Sequence, residues 1–365
     1  MFPLIFIISI LIYGLLVFYV GWSIYKGFRL YKLKWIKYVY MLVLAFISIS
    51  FIIGRFSEGF IIIQAIGNYW LALFCILLLT LPVVHLVMLL LRLTKLNRNK
   101  VKNFATVAMT IITIVCFAFG IYNAYSTKVT TYNMSISKNG PTDIKAVLIT
   151  DTHFGYLSGL GHAKRMVESV NKLKPDYIFM SGDIIDDDLS IVREKGIFSE
   201  LANLDSVYGT YAVLGNHDRD IEGIEHIITS LENANITVLY DEVILDTNGL
   251  YLVGRKDLSE GERLSAEYLL RDLDQSKPII VLDHQPAELI ALSEQGADLT
   301  LSGHTHHGQI FPGNLLTERL FPNDYGLKEF NTMQSVVSSG YGFWGPPMRI
   351  GSQSEIIVLN LKFHD

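Results

Sequence analysis

The first third of the chain is a succession of apolar stretches. Four of them lack aspartate, glutamate, lysine and arginine, and each is about long enough to cross a bilayer as a helix. They are Pro3–Tyr25, Tyr38–Gly54, Ile61–Leu91 and Phe104–Ser126. The first has no basic segment before it and no small-residue cleavage site, so we expect a retained helix rather than a signal peptide. The pattern predicts a membrane domain of four transmembrane helices over residues 1–127.

From Lys145 onward the pattern changes to short apolar runs that alternate with amphipathic stretches. Runs such as "AVLIT", "YIFMSGD" and "PIIVLD" are typical of buried strands, and "GHAKRMVESVNKLK" is typical of a surface helix. This alternation predicts a layered α/β domain over residues 145–365. The segment "SISKNGPTD" carries glycine and proline, and we therefore expect a linker over residues 128–144.

Basic residues are distributed unevenly over the links between the apolar stretches. The links over residues 26–37 and 92–102 carry five lysines and arginines each, whereas Arg55, near Glu58, is the one basic residue in the link between them. Cytoplasmic loops are enriched in lysine and arginine, so we expect the two basic links in the cytoplasm and the N-terminus outside. Four crossings then place everything after about Thr127 on the extracytoplasmic side of the cell membrane.

Composition supports a membrane location and limits the partners. Half of the residues are hydrophobic (50%), and the mean hydropathy of +0.35 is high for a soluble enzyme. The net charge is -5, and no long basic run follows the membrane domain, which argues against a nucleic-acid partner. Both cysteines, Cys75 and Cys116, fall inside predicted spans, so the outer domain has no disulfide.

The predicted strands are followed by polar residues that can bind metals. "AVLIT" is followed by "DTHFG", "YIFMS" by "GDIID", "YAVL" by "GNHDRD", "IIVL" by "DHQP" and "DLTLS" by "GHTHHGQ". Ligands of α/β sheets bind at the carboxyl ends of strands, so these side chains should converge. Carboxylates, imidazoles and one carboxamide without a thiolate suit manganese, iron or zinc at an open catalytic site. The ligands are too many for one ion, which indicates a two-metal site of the kind that acts on phosphorus.

The order of these polar blocks resembles that of the calcineurin-like metallophosphoesterases. The family pattern is D-x-H, G-D, G-N-H-[DE], a lone H and G-H-x-H. The matching residues are Asp151-Thr-His153, Gly182-Asp183, Gly215-Asn216-His217-Asp218, His284 and Gly303-His304-Thr305-His306. The resemblance covers residues 145–365 and implies an αββα-type fold. "SGHTHHGQ" and "SSGYGFWGPPMRIG" also resemble the closing segments of a membrane-anchored, bacterial-type branch.

The resemblance implies a role for each matching residue. One ion would be held by Asp151, His153, Asp183 and His306. The second would be held by Asp183, Asn216, His284 and His304, so that Asp183 bridges the two. His217 would protonate the leaving oxygen, and Asp218 would orient its ring.

Several polar residues beside the motifs have two interpretations. His307 stands where the family pattern has glycine, and it is either solvated or directed toward the substrate. Arg219 either is solvated or touches a phosphate, and residues 338–347 form either a packed turn or a rim that receives the substrate. Structural roles are favoured for three further places: Asp186–Asp188 as a solvated helix start, His162 near a helix N-terminus, and His85 in snorkelling or helix packing.

The sequence therefore predicts a membrane-anchored, metal-dependent hydrolase. Its reaction would be the cleavage of phosphoester or pyrophosphate bonds, including phosphodiesters, in a phosphorylated small molecule or in a lipid-linked or envelope substrate. The alternative is a membrane sensor whose outer domain binds metal without hydrolysis. The complete ligand set and the intact Asn216-His217-Asp218 run favour the hydrolase.

Overall fold

The structure, a computed structural model, describes most of the chain in two compact units. The described residues are 2–30, 34–56, 60–141, 143–186, 189–219 and 223–364. The expectations for Glu58, Asp187 and Asp188 fall outside them. The first unit comprises Met1–Ile121 and Gly345–Met348, and the second comprises Tyr122–Trp344 and Arg349–Asp365.

Four long apolar helices account for the first third of the chain. They are α1 (Phe2–Gly27), α2 (Lys34–Phe56), α3 (Ile61–Leu91) and α4 (Arg98–Tyr125). Each contains a segment that is long and apolar enough to cross a membrane, which confirms the four predicted spans. The chain is therefore a multi-pass membrane protein.

Hydrogen bonds between side chains connect the first three helices. The Tyr13 hydroxyl donates to the Ser48 carbonyl at 3.0 Å and accepts from the Trp70 indole at 2.9 Å. Such bonds stabilise helix pairs in lipid because no water competes for the polar groups. His85 lies 2.9 Å from the Tyr19 hydroxyl through its Nδ1 atom, in agreement with the helix-packing interpretation.

The second unit contains twelve strands, within the described residues, in two mixed sheets. The strands are β1 (Lys128–Ile136), β2 (Ile144–Ile149), β3 (Tyr177–Ser181), β4 (Thr210–Val213), β5 (Ile236–Val238), β6 (Glu242–Leu245), β7 (Tyr251–Gly254), β8 (Ile279–Leu282), β9 (Leu299–Ser302), β10 (Gly326–Phe330), β11 (Met333–Val337) and β12 (Glu355–Phe363). The first sheet has the order β1-β12-β2-β3-β4-β5, and the second has the order β10-β11-β9-β8-β7-β6.

Short α-helices connect many of these strands, and a 3-10 turn spans His306–Gly308. The helices are α5 (Leu160–Leu173), α6 (Leu189–Glu194), α7 (Ile197–Leu201), α8 (Ile224–Glu232), α9 (Ala266–Leu270), α10 (Leu289–Glu294) and α11 (Asn314–Leu320).

Three apolar cores hold the sheets and helices together in layers. Helices α5 to α8 pack on the first sheet through residues such as Met166 and Ile178, which are buried. The two sheets face each other across a second core that includes Phe179 and Leu301. Helices α9 and α10 cover the outer face of the second sheet, where Leu292 is buried. Both faces of the central strands are therefore apolar, which explains their continuous apolar runs. The layers confirm the predicted αββα arrangement.

The predicted linker over residues 128–144 contains a regular strand. β1 pairs in parallel with β12 over nine residues, from Lys128 with Glu355 to Ile136 with Phe363. Apart from Val129 its exposed positions are polar, and β1 is at the edge of the sheet, so the segment lacks the apolar run of a central strand. Its partner also lies more than two hundred residues away in sequence. The irregular connection with glycine and proline is limited to the residues between β1 and β2.

Candidate metal centre

The residues of the five motifs follow strands β2, β3, β4, β8 and β9. The loops after β2 and β3 are joined through their backbones: the Asp151 N–H donates to the Gly182 carbonyl at 2.9 Å, and the His153 N–H donates to the Asp183 carbonyl at 3.0 Å. The loop after β9 is joined to the loop after β8, because the Gly303 N–H donates to the His284 carbonyl at 3.0 Å. The carboxyl ends of both sheets thus contribute to one site.

Six predicted ligands form two clusters. The first cluster comprises Asp151, His153 and His306, and the second cluster comprises Asp183, His284 and His304. Within each cluster, one ligand atom per residue lies within 4.8 Å of the others. Carboxylate oxygens and imidazole nitrogens that converge at this distance are suited to hold a divalent cation.

Asp183 connects the two clusters. Its Oδ2 atom lies 3.2 Å from Nε2 of His284 in the second cluster and 3.7 Å from Nε2 of His153 in the first. Its other oxygen accepts a hydrogen bond from the His217 backbone N–H at 2.8 Å, which fixes the carboxylate. Asp183 is therefore placed as a bridging ligand would be.

Two further observations fit metal ions at these clusters. Nδ1 of His284 lies 2.8 Å from the Ser181 carbonyl, to which it can only donate, so its proton is fixed there and Nε2 is left to face Asp183. A metal-binding histidine usually donates its other ring N–H to a carbonyl in this way. Oδ1 of Asn216 is buried and has no hydrogen-bond partner within the described part of the chain. A buried carbonyl oxygen is costly without a partner, and a cation would satisfy it.

The backbone at the ligands is strained. Six site residues have a positive φ, which side chains other than glycine rarely adopt. They are Asp151, His153, Asp183, His304, His306 and His307, with φ between 43° and 68°. The glycines beside them allow close approach: a Cβ at Gly215 would collide with Asp183, and one at Gly303 would collide with Asp151. These backbone conformations direct the ligand atoms inward.

Burial and neighbouring charges divide the histidines into two types. Burial opposes protonation of His153, yet Asp186, Asp183 and Asp151 together raise its pKa to about 9. Burial likewise opposes protonation of His284, but Asp183 raises its pKa well above the ordinary value. Burial and the nearby His284 together lower the pKa of His304 to about 4, although Asp183 opposes them. Without metal, protons on the first two histidines therefore balance the buried carboxylates.

His217 lies beside the first cluster, and its ring is partly exposed. Its ring centroid is 5.2 Å from that of His153, and its Nδ1 atom is 3.7 Å from the Asp186 carboxylate. Burial lowers the pKa of His217, and Asp183 opposes this effect. The ring also forms a third group of possible ligand atoms with His153 and Asp186, and its partial exposure allows it to meet a substrate.

The structure gives Asp218 partners other than the expected His217 ring. Its two oxygens accept hydrogen bonds from the backbone N–H groups of Ile185 at 2.8 Å and Gly215 at 2.7 Å. Burial raises the pKa of this carboxyl group to about 7. Side chains adjacent in sequence point apart in this turn, so Asp218 supports the two loops. The carboxylate found near the His217 ring is Asp186.

Asp186 and Arg349 are site residues that the sequence did not reveal. Asp186 lies 3.0 Å from Nδ1 of His153, so it orients a ligand of the first cluster rather than being a solvated helix start. The Arg349 guanidinium is fully buried and lies 3.1 Å from Nδ1 of His306. The acidic run "DIIDDD" was the available signal for Asp186, whereas nothing local marks Arg349.

The residues with two interpretations have varied surroundings. His307 is half-buried, with Nδ1 3.0 Å from the Asp324 carboxylate, so it is neither freely solvated nor in a cluster. Arg219 donates to the Ser259 hydroxyl at 2.6 Å. His162 lies in the first turn of α5 and packs 4.4 Å from the Tyr341 ring. In segment 338–347 Tyr341 is buried, as in a packed turn, whereas Trp344 is exposed.

The comparisons with known proteins agree with this geometry. The model of a family described as calcineurin-like phosphoesterase matches residues 144–308. The chain is 35% identical over 272 residues to a protein described as an uncharacterized metallophosphoesterase from Helicobacter pylori, covering 73% of this chain and 72% of the relative. It is 30% identical over 370 residues to another from Campylobacter jejuni, covering 97% of each.

The similarity extends to a vertebrate membrane protein. A transmembrane protein with metallophosphoesterase domain from Danio rerio is 33% identical over 277 residues, which cover 70% of this chain and 62% of that protein. Among solved structures, the protein TT1561 of Thermus thermophilus aligns with a TM-score of 0.39 and 17% identity, over 54% of this chain and 89% of that one.

Proposed function

Because the chain belongs to the calcineurin-like metallophosphoesterase family, we propose that it is a membrane-anchored phosphoesterase that uses two divalent ions. The observation that carries this proposal is the pair of carboxylate and imidazole clusters joined by Asp183. One ion is held by Asp151, His153, Asp183 and His306. The second is held by Asp183, Asn216, His284 and His304.

The donor set limits which ions fit. Nitrogen and oxygen donors without thiolate suit manganese, iron or zinc. Bound ions neutralise charge on the phosphoryl group and activate water for attack at phosphorus. The positive φ of the ligand residues supports this role, since strained backbone persists where function requires a fixed geometry.

His217 supplies the proton that the leaving oxygen needs. Water adds to phosphorus and releases a proton to solvent, the bond between phosphorus and the leaving oxygen breaks, and that oxygen takes a proton from Nε2 of His217, which is then reprotonated from solvent. Asp186 favours a protonated ring, because its carboxylate lies 3.7 Å from Nδ1. Asp218 positions the loop by accepting the N–H groups of Gly215 and Ile185.

We place the catalytic unit outside the cytoplasm. The support is the distribution of basic residues: the links over residues 26–37 and 92–102 carry ten lysines and arginines together, whereas the link between them carries one. A substrate in this compartment would be a phosphorylated small molecule or a lipid-linked phosphate of the envelope.

Hydrolysis by the purified full chain tests the proposal. Loaded with Mn²⁺ in detergent, it should hydrolyse bis(p-nitrophenyl) phosphate. Asp183→Asn should lower this rate at least about 10²-fold, because both clusters lose their common ligand. Asp272→Asn is the matched control, since Asp272 is exposed and pairs only with its neighbour Arg271 in the described structure. A folded, metal-loaded protein inactive on monoesters, diesters and pyrophosphates would favour the sensor.

A further inference from the structure

Five large apolar side chains are exposed beside the metal centre. Residues Phe311, Leu315, Leu316, Leu320 and Trp344, here named the apolar rim, are each between 43% and 63% exposed. Helix α11 contributes three of them and has no buried residue. A cluster of exposed apolar residues of this kind indicates a contact surface.

Hydrogen bonds hold the two segments of the rim together next to the site. The Gln309 amide donates to the Trp344 carbonyl and accepts from the Trp344 N–H, both at 2.9 Å. The Phe311 N–H donates to the Ile350 carbonyl at 2.7 Å. The Trp344 ring centroid is 5.8 Å from that of His217, so the rim borders the residue that we propose as the acid.

The last turn of α4 indicates what covers this surface. This uninterrupted helix is a candidate membrane span that extends to Tyr125. The Tyr125 ring packs edge-on against Phe343 at 5.2 Å, and the Asn123 amide donates to the Arg349 carbonyl at 3.3 Å. Trp344 follows Phe343 directly, so it lies near the end of a membrane-spanning helix. Tryptophan is enriched at this depth, where its ring meets lipid headgroups.

We propose that the apolar rim enters the interfacial layer of the membrane that anchors the chain, and that the site acts on phosphoesters of membrane lipids. The choice of substrate rests on the proposed phosphoesterase function, whereas the lipid contact does not. A second copy of the chain is a poor fit, because stable protein interfaces use roughly 20–30 residues per partner and the rim has far fewer. A short helix with exposed leucines is typical of a lipid contact.

A fluorescence experiment tests the position of the rim. In the full chain with Cys75→Ala and Cys116→Ala, Leu316→Cys is labelled with an environment-sensitive fluorophore in nanodiscs of phosphatidylethanolamine and phosphatidylglycerol. Lipids with a spin label on the acyl chain should quench this fluorophore. The control is Ile290→Cys on α10, which is similarly exposed at 60%. Equal quenching at both positions would overturn the lipid contact. A fluorescence spectrum in detergent that changes with protein concentration would also overturn it, because that change would indicate contact with a second copy of the chain.

A pair of matched esters tests the substrate class. Hexadecyl p-nitrophenyl phosphate and methyl p-nitrophenyl phosphate have the same leaving group and differ only in the chain that lipid would hold. The wild-type chain in nanodiscs should prefer the hexadecyl ester. Leu316→Glu combined with Leu320→Glu should lower kcat/KM for that ester by about tenfold or more and leave the methyl ester unchanged.

The outcomes of the two experiments are separable. Equal loss on both esters would mean that the rim supports the fold and would overturn the substrate proposal. Inactivity of the wild-type chain on both esters would overturn the lipid substrate, and it would contradict the phosphoesterase only if monoesters and pyrophosphates were not hydrolysed either. The quenching experiment still decides where the rim lies.

Discussion

Replacing Arg349 by lysine should loosen the first cluster without removing charge. The guanidinium donates to the Gly342 carbonyl at 2.6 Å and to the Gly340 carbonyl at 3.2 Å, and it also reaches Ser352 at 3.2 Å and His306. Burial lowers the pKa of Arg349 to about 10, so it stays charged at neutral pH. Lysine has donors on a single nitrogen and cannot reach all of these acceptors.

The expected magnitude follows from the acceptor left unpaired. The Gly340 carbonyl also accepts the Glu355 N–H at 3.0 Å, so the Gly342 carbonyl is the buried acceptor that loses its donor, and Arg349→Lys should lower the free energy of unfolding by ~1–3 kcal/mol. Because the guanidinium also donates to the His306 backbone carbonyl at 3.5 Å, His306 loses support, and affinity for Mn²⁺ at the first cluster should fall about 10–100-fold.

Calorimetric Mn²⁺ titration and thermal unfolding of the full chain measure the two effects of this change. Arg193→Lys is the control, since that guanidinium bonds Ser230 between helices α6 and α8. Wild-type affinity together with a wild-type unfolding temperature in Arg349→Lys would refute the reasoning.

Three further predictions concern the acid, the topology and an ion pair. His217→Ala should keep both ions, and its rate should fall about 10²-fold more on an alkyl phosphodiester than on a p-nitrophenyl ester, because only an alkoxide leaving group needs the proton. Kinetics on the two esters together with metal analysis measure this, and equal losses with one ion missing would make His217 a ligand. A periplasmic-type reporter fused to the C-terminus should be active, and a protease-protected C-terminus in right-side-out vesicles would reverse the orientation. Burial works against ionisation of Glu355, but Thr130 and Lys128 lower its pKa below the ordinary 4.5, so its stabilising effect is present above that pH and is lost as the pH falls through the lowered pKa. Thermal unfolding of Lys128→Met should show a loss of about 0.5–1 kcal/mol at pH 7 that shrinks as the pH falls below 4.5 and through the lowered pKa, and a loss that does not change with pH would contradict the ion pair.

The sequence could predict those features that local pattern controls. Four uncharged stretches of spanning length leave no alternative to membrane helices, and α3 has the predicted bounds Ile61–Leu91. The convergence of the six histidine and aspartate side chains of the two clusters was predictable because each follows a strand, and parallel strands bring their carboxyl ends to one edge.

Features that depend on distant contacts could not be predicted in this way. Asp218 is adjacent to His217 in sequence, yet only the turn geometry decides that its side chain points to backbone N–H groups. Asp186 occurs in an acidic run that equally suits a solvated helix start. Arg349 is buried because carbonyls of its own loop surround it, and no periodicity in the sequence indicates that.

The position of β12 has a consequence for how the protein is made. Strand β12 lies between β1, which follows the membrane helices directly, and β2. The first sheet therefore cannot close until β12 has been synthesised and has reached the same compartment. Until then β1 and β2 expose unpaired backbone edges, which are prone to aggregate. Loss of the C-terminal residues during biogenesis would leave a gap inside the sheet rather than a shortened edge.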